Sequence, residues 1–434
     1  MRSGSASRHE RILRVFERHI TQAIDAGLCR IRVDDQDVSG RTITAGGQEL
    51  VNFGSCAYLG LNVDPRLKRG AIEAIERFGP VFSSSTAYTS IDLYTSLETR
   101  LRKIFDAPVI VPTTTTLGHL SALPVLIGEG DAVVIDGQAH SSIHMATQLL
   151  IAEGITVIPV AHNDIAVLNA ALADLTPRHR SVWYLADGVY SMLGDAAPVA
   201  EIHHLLERYE NLNVYIDDAH GFGWQGPSGR GLVLGRMPMH ERMVVAVSLS
   251  KSFGSGGAAI AFPNEELANR VQLVSGPMTF SGPVHPAELG AAVAAADIHL
   301  SDEHPLRQAR LLDQIKLVRD VAVELELPIP ALDETPIWFA RIGSHEDAAA
   351  IGQRLRSDGF YVNLASFPAV PLGQSGLRFT QTLYHQDSDL IAMLEAMARH
   401  ITDVAPGSLR PDILIDLTDS SDITNDIEAV ALTD

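Results

Sequence analysis

Lys251 and Asp217 are the two residues whose type and placement could do chemistry together. Lys251 follows the apolar run Val245-Ala-Val-Ser-Leu-Ser and opens a turn rich in glycine that ends at Gly257. A lysine just past a buried strand is desolvated, which disfavours its ammonium form. The neutral amine is a nucleophile whose natural electrophile is an aldehyde such as pyridoxal phosphate. Asp217 ends the strand-like Val214-Tyr215-Ile216 and begins Asp217-Asp218-Ala219-His220. It is an acid that could face a pyridinium nitrogen.

Such a pair has to be carried by regular elements. Short apolar runs recur at 109–111, 132–135, 156–160, 182–186, 214–216, 243–247 and 258–262. Helical periodicity fills 94–105, 117–127, 142–153 and 199–209 between several of them. All-apolar strands alternating with helices predict a largely parallel sheet covered on both faces, an α/β domain. Four segments stand at the carboxyl ends of these strands: 136–140, 186–192, 217–220 and 248–251. In open α/β sheets, ligands bind outside those ends.

The remainder of the chain has a different texture. An amphipathic helix is expected over 9–27, on Ile12, Leu13, Phe16, Ile20 and Ile24, with short strands and turns to about 55. The domain built around the sheet is expected over 56–304. A smaller α+β domain follows over 305–404, with helices at 306–325, 345–358 and 387–402. The segment 405–434, rich in Asp, Ser and Thr, has the composition of a flexible acidic tail.

The 434 residues are 46% hydrophobic and 20% charged, ordinary for a soluble protein and long enough for two folded units. Thirty-three basic against 53 acidic residues give a net charge of −20. Nucleic acid would repel such a surface, and no run of Lys and Arg offsets it. Cys29 and Cys56 form no metal or disulfide framework and suit reduced thiols in a cytoplasm. The opening residues hold no apolar targeting stretch, and no segment has the length and apolarity of a membrane span.

Taken in order and spacing, these segments resemble the α-oxoamine synthases, fold-type I enzymes dependent on pyridoxal phosphate. The resemblance runs from about Val51 to His400. It rests on the four strand-end segments, on 187–195 (Asp-Gly-Val-Tyr-Ser-Met-Leu-Gly-Asp), on the glycine-rich 221–231, on 367–371 and on 377–379. It implies a fold-type I transferase with a large, mostly parallel sheet domain and a smaller C-terminal α+β domain, acting as a homodimer. It also implies that Lys251 binds the cofactor aldehyde and Asp217 pairs with the pyridine nitrogen. His220 and Ser191 would meet the phenolic oxygen, and His140 would stack on the ring. Arg378 would hold an amino-acid carboxylate, a contact suited to a planar bidentate donor.

The phosphate has its own candidates. Thr115 and Thr116, in the run 113–116 before an apolar helix, would present hydroxyls and unpaired N–H groups at a helix N-terminus. Ser248 would add a hydroxyl. In the resemblance, Ser281 would complete the cradle from a partner subunit.

The implied reaction condenses an amino acid with an acyl thioester and loses carbon dioxide, giving an α-aminoketone. The segments 57–60, 80–90 and 94–98 depart from the family pattern, and they belong to the acyl end. The donor could therefore be an unusual acyl-CoA or an acyl carrier protein. Rival readings keep the cofactor without the thioester, as an aminotransferase, aldolase or decarboxylase, or drop catalysis altogether. His140 and His144 lie four apart on a helix, yet no Glu completes a metal-binding pattern, and no metal is expected.

Overall fold

A computed structural model describes residues 8–34 and 38–408. The expected acidic tail lies outside the described residues from 409 onward. The chain divides into two units. One holds the described residues of 56–191 and 195–312, and the other those of 1–55, 192–194 and 313–434.

The larger unit is built on a seven-stranded sheet. Its strands run, from one edge to the other, Val109–Ile110, Ala258–Ala261, Met243–Ser248, Leu212–Asp217, Val182–Asp187, Ala132–Asp136 and Thr156–Val160. The inner strands are buried along their length save at Asn213, which is why they read as apolar runs without alternation. The Thr156–Val160 edge is partly exposed, and it carries Pro159, which lacks the N–H an inner strand needs.

Five strands pair in parallel, from Met243–Ser248 across to Thr156–Val160. Ala258–Ala261 does not: it runs antiparallel to both of its neighbours. The reason is the connection before it. Residues 249–257 are too few to hold a crossover helix, so the chain must turn back on itself. Lys251 sits on that turn. The Leu249 N–H donates to the Gly257 carbonyl, the Ser255 N–H to the Leu249 carbonyl and the Gly254 N–H to the Lys251 carbonyl. Gly254 has φ +82°, and a Cβ there would lie 2.8 Å from the Leu61 backbone, so only glycine fits the turn.

The helices Thr115–Leu126 and Ser141–Ala152 pack on the sheet around Ile135, Ile143, Leu150, Leu185, Tyr215 and Ile260. Each fully buried aliphatic side chain there contributes about 1.5–3 kcal/mol. On another part of this unit, Pro65–Phe78 and Pro286–His299 cross so closely that a Cβ on Gly290 would lie 2.1 Å from the Gly70 carbonyl oxygen.

In the other unit, Ile337–Gly343, Ser375–Thr380 and Asn363–Ala365 form an antiparallel sheet with Ser375–Thr380 at its centre. The helices His345–Ser357 and Asp387–Val404 belong to the same unit. Thr42–Ala45 and Gln48–Asn52 form a hairpin through Gly46 and Gly47, whose φ values of +63° and +76° suit the tightest two-residue turn. Gln48–Asn52 then pairs in parallel with Phe360–Tyr361. Arg41 closes this unit with two hydrogen bonds, of 2.8 and 2.6 Å, to the Asp389 carboxylate. Among the described residues, no helix is long and apolar enough to cross a membrane.

Candidate active site

The parallel strands of the larger unit release Asp136, Asp187, Asp217 and Ser248 at one edge of the sheet. Asp187 and Asp217 are cross-strand partners in register. Asp217 is 4% exposed. Its Oδ1 accepts from the Ala219 N–H at 3.0 Å, and its Oδ2 is 2.9 Å from His119 Nε2. The other His119 nitrogen, Nδ1, is 2.8 Å from the Tyr215 hydroxyl. Burial works against the Asp217 charge, but His119, by charge and by hydrogen bond, outweighs it, with Lys251 and His140 adding to the effect. The net result holds the Asp217 carboxyl below its ordinary range.

Asp187 goes the other way. Its burial, and the Asp217 charge beside it, push its carboxyl well up. Its Oδ1 accepts from the His140 backbone N–H at 2.9 Å. Two neighbouring acids are thus driven apart, the Asp217 carboxyl held down and the Asp187 carboxyl pushed up, as paired groups with different tasks require.

His140 caps the helix Ser141–Ala152, with Nδ1 2.6 Å from the Ser142 hydroxyl. The imidazole stays accessible, while the surrounding protein and the Lys251 charge disfavour its protonation against the pull of Asp217. A neutral, accessible ring is what stacking on a cationic heterocycle needs. Lys251 is half-buried at the end of its strand, near enough that its charge draws down the carboxyls of both Asp217 and Asp187. His220 is 7% exposed, and its Nδ1 is 2.7 Å from the Tyr58 hydroxyl.

Thr114 caps the helix Thr115–Leu126, its hydroxyl accepting from the Leu117 N–H at 3.1 Å. Thr115 and Thr116 are therefore the first two helical residues, and their N–H groups have no acceptor within the helix. Ser248 is buried, with its hydroxyl 2.8 Å from that of Ser250. The Ser281 hydroxyl donates to the Pro277 carbonyl of its own short helix, and the Thr113 hydroxyl donates to the Gly282 carbonyl at 2.9 Å. That second bond brings the 281–282 segment against the threonine run of the same chain. Ser191 follows the Val182–Asp187 strand and is half-buried. Arg378 alone among the expected residues belongs to the other unit, 7% exposed on the central strand of its sheet and in register with Phe339 and Asn363.

Sequence reasoning missed His119, Tyr58 and the role of Asp187. His119 reads as one polar residue within an apolar helix. Its signal is a spacing of four from Thr115, which puts both on one helix face. Among the described residues, no group of three or more His, Cys, Asp or Glu is placed to hold a metal.

The donor set fits pyridoxal phosphate. A buried carboxylate is held ionised, a strand-end lysine lies within its field, an accessible imidazole stands nearby, and a helix N-terminus bears hydroxyls. Together with the sheet topology, this defines a fold-type I transferase. The family profile for class I and II aminotransferases matches residues 48–394. An 8-amino-7-oxononanoate synthase of Geobacter sulfurreducens is 34% identical over 88% of this chain and 96% of its own. A serine palmitoyltransferase of Bacteriovorax stolpii is 30% identical over 85% and 87%. A solved serine palmitoyltransferase from S. paucimobilis, with a bound PLP–myriocin aldimine, superposes with a TM-score of 0.82 at 24% identity, covering 90% of this chain and 98% of that one, and shares the fold. The chain belongs to the α-oxoamine synthase family within the class I and II aminotransferases.

Proposed function

We propose that this chain condenses an α-amino acid with an acyl thioester, releasing carbon dioxide and a thiol and leaving an α-aminoketone, with pyridoxal phosphate bound at Lys251. The observation that carries the reading is the buried Asp217 carboxylate, kept ionised by His119 within the field of Lys251. Curated relatives at 30% identity or more bear the names of two such synthases, which supports the same class of reaction.

Bound pyridoxal phosphate supplies an electron sink for charge left at the amino acid's Cα. The protein does the rest. Asp217 would face the pyridine nitrogen and keep it protonated. His140 would lie against the ring, and His220, steadied by Tyr58, would meet the phenolic oxygen together with Ser191. Thr115, Thr116 and Ser248 would take the phosphate, with Ser281 contributing across a homodimer interface. Arg378 would hold the substrate carboxylate. The Lys251 amine, once released, would take the Cα proton and later return it, since a neutral amine beside the reacting carbon is a competent base. The thioester carbonyl accepts the Cα–C bond as the thiolate leaves, and carbon dioxide departs from the former carboxylate. Coenzyme A or an acyl carrier protein would bear the acyl group, and a cytoplasmic setting suits the thiols of Cys29 and Cys56.

The test is a panel of amino acids and acyl thioesters, with thiol and carbon dioxide release measured and products identified by mass. Lys251→Ala should abolish turnover and the absorbance of lysine-bound cofactor together. Repeated turnover by that variant, or pyridoxamine phosphate formation with a keto acid and no thiol release, would defeat the reading.

A further inference from the structure

His162 lies outside the residues placed against the cofactor, and it is 4% exposed. Its Nδ1–H donates to Asp136 Oδ1 at 2.9 Å, and its Nε2–H donates to Asp195 Oδ2 at 2.7 Å. Asp136 Oδ1 already accepts from the Gln138 N–H at 2.8 Å, and Oδ2 from the Asn163 N–H at 2.8 Å. Asp195 Oδ2 already accepts from the Asn163 side-chain amide at 2.8 Å. Both oxygens that face the ring are thus acceptors, so both ring nitrogens must bring a proton, and the ring is an imidazolium. Burial alone would strip that proton. The hydrogen bonds and charges of Asp136 and Asp195 outweigh burial and raise the ring's pKa to about 10.

The two carboxylates belong to two different turns, and each turn leads to the cofactor edge of the sheet. Asp136 holds the Gln138 N–H, and its carbonyl accepts from the Ala139 N–H. The next residue is His140, whose own N–H is fixed on Asp187. On the other side, the Asp195 carbonyl accepts from the Tyr190 N–H at 2.9 Å, and the Tyr190 ring stands edge-on to His162 with centroids 4.3 Å apart. Ser191 follows Tyr190. We propose that His162 is a positioning residue, its imidazolium clasping Asp136 to Asp195 and so fixing the turn that presents His140 against the turn that presents Ser191. A neutral side chain of similar size would leave one buried carboxylate without its counter-charge, which costs more than the missing hydrogen bond alone.

The proposal rests on the reading of the cofactor site given above, and its test separates the two. His162→Gln and Asp195→Asn are compared with Leu205→Ala, a core change on the helix Val199–Arg208 that removes stability without touching either turn. The readouts are the induced circular dichroism of bound pyridoxal phosphate, kcat, the amino-acid KM and the melting temperature. Both clasp variants should lose about tenfold to a hundredfold in kcat, the scale of a misplaced site group, with a smaller change in KM and a weakened dichroic signal. Leu205→Ala should keep kcat and the signal despite its lower melting temperature. Clasp variants that behave like Leu205→Ala overturn the proposal. Should neither clasp variant fold, nitrogen NMR of the unaltered, cofactor-free chain with labelled histidine decides. A ring doubly protonated at about pH 8 upholds the clasp, and loss of a ring proton near the ordinary pKa of about 6.5 overturns it. An unaltered chain that binds no pyridoxal phosphate would sink the functional reading and leave the NMR result standing.

Discussion

His119 Nε2 lies 2.9 Å from Asp217 Oδ2, and both side chains are sealed from solvent. The bond uses one carboxylate oxygen, while the other, Oδ1, accepts from the Ala219 N–H. It makes Asp217 a fixed negative charge rather than one free to protonate in a buried place.

Removing that bond should show in the pH profile. His119→Phe fills the volume but leaves Asp217 to burial, which raises its carboxyl. The acid limb of kcat/KM should move to higher pH, and kcat at neutral pH should fall about tenfold to a hundredfold, as for other residues that orient a site group. The depressed carboxyl also contributes stability, present above its unfolded value of about 3.9 and lost as pH falls further. An unmoved acid limb in the variant would show that His119 does not govern Asp217.

Asp218 should titrate in the opposite sense. It is fully buried, and burial pushes its carboxyl up to about 7, with the Asp217 charge adding to the rise and the Val233 N–H, at 3.1 Å, opposing it. The folded chain therefore keeps a proton that the unfolded chain loses from about pH 4. Stability from this group is complete below that pH and is lost as pH rises through 7. Asp218→Asn keeps the shape and an acceptor for Val233 but cannot ionise. Relative to the unaltered chain, it should gain up to about 4 kcal/mol between pH 4 and pH 8. Denaturant unfolding at both ends of that range measures it, and an equal gap at both would refute it.

Gly188 should tolerate no side chain while Asp218 stands. A Cβ there would come 2.3 Å from Asp218 Oδ1 and 2.7 Å from Cγ, with no nearer neighbour of another residue. Gly188→Ala should cost about 1–3 kcal/mol, the range of overpacking in a closed core. Because the clash is with one side chain, Asp218→Ala should recover part of the loss, and a double-mutant cycle reads the coupling. Additive effects would mean that the strain lies elsewhere.

Arg378 should act on the amino acid and not on the cofactor. Arg378→Lys keeps the charge but loses the planar pair of donors that matches a carboxylate. The amino-acid KM should rise about tenfold or more while cofactor absorbance and affinity stay as they were. A variant that instead loses the cofactor would reassign the residue to structural support.

Local pattern carried much of the larger unit. The strands Ala132–Asp136, Val182–Asp187 and Met243–Ser248 lie within a residue of the apolar runs that mark them, because burial on both faces leaves no alternation to misread. The helix Thr115–Leu126 begins two residues before its apolar periodicity does. The threonine cap, not the hydrophobic face, sets where it starts. The reversal of Ala258–Ala261 could be inferred only from the shortness of 249–257, since an apolar run carries no direction.

The sequence alone determined the chemistry on offer: a lysine after one strand, an aspartate after another, and motifs in an order that names a family. Those are properties of residue type and near neighbours along the chain. Only the tertiary structure decided which groups bear on one another. It set His119 against Asp217, pushed the Asp187 carboxyl up while holding that of Asp217 down, and placed His162 between two acids that stand far apart in sequence. Hydrogen bonding and charge act over a few ångströms of space, and the sheet, by bringing strand ends together, makes neighbours of residues that no spacing along the chain relates.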